Sequence, residues 1–160
     1  MSQRRLYHIG FGHKDLGATP PTTALLCGDP ERARRIAMET DGVICLATLS
    51  ENRGLHSYLC QNAEGRKFVA ATSGMGAPSL SIVVNELVAV GIRTIIRVGT
   101  SGGIGQEVKA GDLVISSAAL CRQGAALDIA PAEFPAAADP YVTVALTGAA
   151  KTLGIAAHLG

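Results

Sequence analysis

Tryptophan is absent from these 160 residues, and aromatic side chains make up only 4% of them. Such a chain offers no stacking platform of the kind that single-stranded nucleic-acid binders use. Charge is sparse too: Asp, Glu, Lys and Arg total 17%, and the formal net charge is +1. That balance argues against a dedicated nucleic-acid or membrane-surface protein. The cysteines, Cys27, Cys45, Cys60 and Cys121, are isolated and form no CxxC pair. They argue against a disulfide framework and are expected as reduced core residues of a cytoplasmic protein. The histidines, His8, His13, His56 and His158, show no metal-ligand spacing, and no HExxH or Cys-His cluster occurs, so no metal site is expected. His13 and His56 read as surface residues, and His8 by itself as a structural one. No Gly-Lys-Ser/Thr occurs, which excludes a P-loop. No long apolar stretch follows Met1-Ser-Gln-Arg-Arg-Leu6, so neither a signal peptide nor a transmembrane segment is expected.

Apolar residues, by contrast, make up 48%. That is enough for one domain over residues 1–160 with a sizeable core. Short apolar runs alternate with amphipathic ones. Strands are expected at 23–27, 43–49, 55–61, 67–72, 93–98 and 112–118. Asp29-Pro30-Glu31 supplies an N-cap, a first-turn proline and an early acid for a helix through Ile36. Further helices are expected over Pro78–Val90 and Tyr141–Leu153. Residues 119–140 read as a long Ala- and Pro-rich connection, and Ile155–His158 as the start of a strand. The pattern is α/β, without linker or repeat. The chain stops at Gly160 as a strand is starting, and the expectation is a fragment or truncated product.

Three strands end in glycine turns, at Gly28, Gly74 and Gly99, and ligands of such folds collect at the carboxyl ends of strands. Arg97-Val-Gly-Thr-Ser-Gly-Gly103 puts an arginine just before a turn of small residues. Its glycines allow backbone N–H groups close to a ligand, and Thr100 and Ser101 add hydroxyls, as suits an anion. Gly28-Asp-Pro-Glu-Arg32 is either a capped helix with a surface arginine or a helix N-terminus and guanidinium cupping an oxyanion. Gly74-Met-Gly76 lacks the third glycine of a dinucleotide fingerprint and suits a tight turn before a packed helix. Gly99-Thr-Ser-Gly-Gly103 fits G-x-S-x-G, with Asp128 or Asp139 and then His158 in hydrolase order. A nucleophile elbow needs a helix directly after the serine, and Ile104–Gly111 reads as a loop, which disfavours a serine hydrolase. Arg53 alone is a turn arginine. With Arg32 and Arg97 it gives a third arm, and three guanidinium forks suit a tetrahedral dianion.

Taken together, Tyr-His-Ile-Gly10, Gly-Asp-Pro-Glu-Arg32, Asn-Arg-Gly54, Ser-Gly-Met-Gly-Ala-Pro-Ser79 and Ile-Arg-Thr-Ile-Ile-Arg-Val-Gly-Thr-Ser-Gly102 resemble the nucleoside phosphorylase family. That family contains uridine phosphorylases and the hexameric purine nucleoside phosphorylases. Gly124-Ala-Ala-Leu-Asp-Ile-Ala-Pro-Ala-Glu-Phe-Pro135 and Gly-Thr-Ser-Gly102 resemble the uridine branch. The resemblance implies an α/β domain with a central mixed, partly barrel-like β-sheet flanked by helices, lacking its C-terminal third. It implies a pentosyltransferase converting uridine and phosphate to uracil and ribose 1-phosphate, with phosphate as co-substrate and no cofactor. It places Gly28, Arg32, Arg97, Val98, Gly99 and Thr100 on phosphate, and Arg53 on the phosphate of a neighbouring subunit. His8 would reach the ribose across that interface. Thr100 would also contact ribose, and Ser101 and Gly102 would line the base pocket. Catalysis would rest on Arg97 and Thr100. Gly54 stands where some uridine phosphorylases carry a glutamate that helps bind a monovalent cation, so that site is not expected. The expected assembly is a homohexamer with shared sites. Purine nucleoside phosphorylase, a related nucleosidase and a non-catalytic phosphate-binding remnant are the alternatives. Three arginines disfavour the nucleosidase, which has no phosphate to neutralise them.

Overall fold

Five strands form one mixed sheet in a computed structural model that describes residues 4–122 and 124–160. Part of the Met1–Leu6 start therefore lies outside the described residues. Contacts divide the chain into two units, Met1–Gly99 and Thr100–Gly160. The first holds the sheet: β1 (Thr23–Cys27), β2 (Val43–Ser50), β3 (Ser57–Asn62), β4 (Lys67–Thr72) and β5 (Thr94–Val98). β1 lies between β4 and β5 and runs parallel to both, while β2, β3 and β4 make an antiparallel meander. A strand with parallel neighbours on both sides is covered on both faces, which explains the unbroken apolar run Ala-Leu-Leu-Cys27.

Side-chain alternation divides the core in two. Ala24, Leu26, Leu59, Val69 and Ala71 pack with Ile9, Phe11 and Leu16 and with Val83 and Leu87 of α2 (Ala77–Ala89). Cys27, Tyr58, Cys60 and Ala70 pack with Ala33 and Ala37 of α1 (Pro30–Met38) on the other face. The Asp29 carboxylate accepts the Glu31 N–H at 3.0 Å and caps α1 as expected, and the helix runs two residues beyond Ile36. Strand β3 starts later than expected. Residues 52–54 form a 3-10 turn in which Arg53 has φ +56°, and Leu55 and His56, expected in the strand, lie between this turn and β3.

The second unit contains a parallel pair, β6 (Leu113–Ile115) and β7 (Ala157–Leu159), and α4 (Pro140–Thr152). Asp139 caps α4 through the N–H groups of Tyr141 and Val142. Expected strand 112–118 is cut to three residues, because the chain leaves the pair and Ala118 bridges to Ala137 instead. The connection 119–140 is not wholly irregular, since Gly124–Leu127 forms a short helix, α3.

Candidate functional site

The parallel strands β1, β4 and β5 bring their carboxyl ends to one edge of the sheet. Register sets Cys27 between Thr72 and Val98. Neighbouring strands are about 4.8 Å apart, so Gly28, Ser73–Gly74 and Gly99 form a short continuous rim. Arg97 folds back over it. A Cβ on Gly99 would lie 2.6 Å from Arg97 Nη1, and one on Gly28 would lie 3.4 Å from Nη2. The guanidinium thus occupies space that two side chains would otherwise fill.

Arg32 approaches from the first turn of α1. Burial pushes the Cys27 thiol pKa up, while the Arg32 and Arg97 cations pull it down and Asp29 adds to the rise; the net direction is upward. Cys27 therefore stays a neutral thiol within the electrostatic reach of both arginines. Among the described residues, no acceptor hydrogen-bonds either guanidinium. Two cations without an acceptor among the described residues, set beside small residues of which Gly99 is exposed, have the chemistry that suits an anion. Ser73 fixes the middle of the rim. Its N–H donates to the Cys27 carbonyl at 2.7 Å, and its hydroxyl donates to the carbonyls of Cys27 and Gly74. Ser79, at the start of α2, donates to the Ser73 carbonyl at 2.6 Å. The buried Thr72 hydroxyl has no hydrogen-bond partner among the described residues.

His8 and Arg53 form a second group. The Asn52 side-chain amide donates to the Tyr7 and His8 carbonyls, both at 2.9 Å, and docks this segment onto the 52–54 turn. The Arg53 guanidinium stands 5.6 Å from the Tyr7 ring centroid, a cation–π distance. His8 Nδ1 lies 2.7 Å from Glu86 Oε1 on α2. The same carboxylate accepts the His8 and Ile9 N–H groups. Burial raises the Glu86 pKa, but the Ile9 and His8 hydrogen bonds outweigh it and hold the carboxyl below its ordinary value. With Nδ1 donating to Glu86, Nε2 is left without a partner among the described residues. Glycine at 54 has a local cause: its φ of +74° continues the left-handed turn that Arg53 begins. A glutamate there would cost about 1 kcal/mol in backbone strain.

Thr100, Ser101 and Gly102 belong to the second unit and lie in exposed loop. Residues 101–112 contain no helix, so the nucleophile elbow is not built. Nor is its triad: Asp139 caps α4, and His158 Nε2 pairs with Asp112 at 2.9 Å rather than with Asp128 or Asp139. His13 is a correction, since it is half-buried and its Nδ1 donates to the Val90 carbonyl at the end of α2. His56, also read as a surface residue, is half-buried. No group of three or more His, Cys, Asp or Glu able to hold a metal occurs among the described residues.

Residues 22–160 match the Phosphorylase superfamily. The chain belongs to that superfamily. Uridine phosphorylases of Klebsiella aerogenes and Escherichia coli K12 are each 38% identical to it over its whole length. The chain spans 61% of the length of each. A DeoD-type purine nucleoside phosphorylase of Clostridium novyi is 35% identical over 119 residues, 73% of this chain and 48% of that protein. Among the described residues of this superfamily member, no helix is long and apolar enough to cross a membrane.

Several residues that shape the site escaped the sequence reading. Glu86 is the clearest, because it anchors His8 from 78 positions away. Its signal was present: it is the one charged residue in Ala-Pro-Ser-Leu-Ser-Ile-Val-Val-Asn-Glu-Leu-Val-Ala89, and a lone acid on a half-buried helix calls for a partner. Tyr7, Asn52, Ser73 and Ser79 stand inside the motifs that carry the resemblance, but their residue types alone assign them no role.

Proposed function

We propose that this chain supplies the phosphate side of a nucleoside phosphorylase site, and that the reaction is phosphorolysis of uridine. The carrying observation is Arg97 folded over Gly28 and Gly99, with Arg32 close by and no acceptor on either cation among the described residues. Gly28, Arg32, Arg97, Val98, Gly99 and Thr100 hold the dianion. Ser101 and Gly102 serve the base and Thr100 the ribose. The uridine phosphorylase relatives support the choice of base.

Phosphate attacks the anomeric carbon as the base leaves, through an oxocarbenium-like ribosyl transition state. The guanidinium forks fix the attacking oxygen, which removes the entropic cost of bringing an anion to that carbon. The bound dianion also faces the positive charge that develops on the ribosyl ring. No covalent enzyme intermediate is needed, so Ser101 needs no base. His8 and Arg53, joined through Tyr7 and Asn52, act as one arm that reaches a neighbouring subunit's site in a cytoplasmic homohexamer. The partly barrel-like closure of the sheet belongs to the same proposal.

Incubation with uridine and phosphate, followed by ³¹P NMR, tests this. Uracil and ribose 1-phosphate should form only when phosphate is present. Uracil release without phosphate would replace phosphorolysis by hydrolysis. Cleavage of purine nucleosides alone would overturn the choice of base. Phosphate binding without any cleavage would leave a non-catalytic anion binder.

A further inference from the structure

The face of the sheet that packs on α1 carries two thiols side by side. Cys45 on β2 and Cys60 on β3 are direct register partners in an antiparallel pair. Residues opposite each other in such a pair share a face, with Cα atoms about 4.5–5.5 Å apart. That falls inside the 4.4–6.8 Å range that disulfides span. Both side chains belong to one cluster with Ala33, Ile36, Ala37 and Phe68. Cys45 and Cys60 close the regular part of the β2–β3 register, which shifts between Cys45 and Ala47. β2 is an edge strand, so one side of it is unpaired in the sheet and can move toward β3. Both thiols are free.

We propose that Cys45 and Cys60 form a reversible intrachain disulfide, and that the pair is an oxidation site for a hydroperoxide. Cys45 is half-exposed and reacts first; Cys60 is fully buried. The Cys45 thiolate attacks the peroxide, a sulfur–oxygen bond forms, the oxygen–oxygen bond breaks, and the alkoxide leaves with the thiol proton as an alcohol. The Cys60 sulfur then attacks the Cys45 sulfenic acid. The sulfur–sulfur bond forms, and hydroxide leaves with the Cys60 proton as water. Two thiols lose two electrons and one hydroperoxide gains them. Burial, then the Cys45 thiol beside it, pushes the Cys60 pKa up to about 12. Cys60 therefore resists oxidants by itself and acts only as the resolving partner. The bond closes a loop that contains the left-handed turn at Arg53. It fixes the base of the arm that the phosphorylase reading assigns to a neighbouring site, but disulfide formation does not depend on that reading.

Tryptic mapping tests the pair directly. Cleavage after Arg35, Arg53 and Arg66 puts Cys45 in peptide 36–53 and Cys60 in peptide 54–66, while Cys27 and Cys121 fall in others. The native full chain is treated with tert-butyl hydroperoxide, alkylated and digested without reductant. The expected product is 36–53 joined to 54–66, a loss of about 2 Da per chain, restored by dithiothreitol. The oxidised chain should melt about 5–10 °C higher, as a short closed loop predicts. Cys45→Ser should abolish both changes, and Cys60→Ser should leave Cys45 as a sulfenic acid trapped by dimedone. Full alkylation of peptides 36–53 and 54–66 after oxidation would overturn the proposal. So would a Cys45 cross-link to Cys27, to Cys121 or to a second chain.

Discussion

Gly99→Ala separates the anion site from the fold with one methyl group. The new Cβ would stand 2.6 Å from Arg97 Nη1, against a comfortable contact of about 3.5 Å. The obstructing atom is the far end of an exposed, flexible side chain, so the guanidinium retreats by about 1 Å and the backbone stays. Gly99 does not occupy the left-handed region, and alanine fits its conformation without strain. Replacing glycine at such a position stabilises by about 0.4–1 kcal/mol through the unfolded chain, which offsets the displaced contact. The melting temperature should stay within about 3 °C of wild type. Phosphate should suffer much more. A charge-assisted hydrogen bond contributes about 1.5–3 kcal/mol, so its loss weakens phosphate about 10- to 150-fold. Isothermal titration with phosphate, paired with thermal melts, reads both numbers. Arg97→Ala should cause a loss of similar size. The double variant should lose no more than either single one, because both remove the same interaction. Wild-type phosphate affinity in Gly99→Ala would refute the fold-back of Arg97 as the basis of the site.

Two further perturbations follow from the structure. Glu86 is held below its ordinary pKa of 4.5, so its carboxylate contributes stability that is complete above that pH and is lost as pH falls through the lower folded value. Glu86→Gln should cost about 1–2 kcal/mol at neutral pH, and urea melts below pH 4.5 should show the wild type losing its advantage while the variant stays flat. Asp139 accepts two N–H groups at the start of α4, and Asp139→Ala should cost about 1 kcal/mol without changing phosphate affinity.

The elements of the first unit were legible because their signals are local. Apolar runs marked β1, β4 and β5, and Asp29-Pro30 marked α1. Gly28, Gly74 and Gly99 marked the strand ends that make the rim. What stayed hidden depends on where distant side chains go. Nothing in the order Arg97-Val-Gly99 says that the guanidinium turns back onto its own glycine. It shows only in three dimensions, where the register pairs Leu26 with Arg97 and Cys27 with Val98 and the guanidinium reaches the space beside Gly28 and Gly99. The left-handed turn at Arg53 was hidden for another reason, since arginine carries no preference for that conformation. His13 looked like a surface residue because its acceptor is a carbonyl at Val90, and backbone acceptors leave no trace in a residue pattern. In the second unit, the three-residue strands β6 and β7 are too short for periodicity to define their ends.

The place of β1 has a consequence for the order in which the molecule can be built. Strands β2, β3 and β4 can zip together as a meander through short turns. β1 cannot join them usefully until both of its flanks exist, because it pairs Ala24 with Val69 and Thr23 with Thr94. These are the pairings with the largest loop-closure entropy, and such contacts form slowly. On a chain emerging from the ribosome, the strand made first is thus completed last. The rim carrying Gly28, Arg97 and Gly99 stays open until the whole sheet has closed around it.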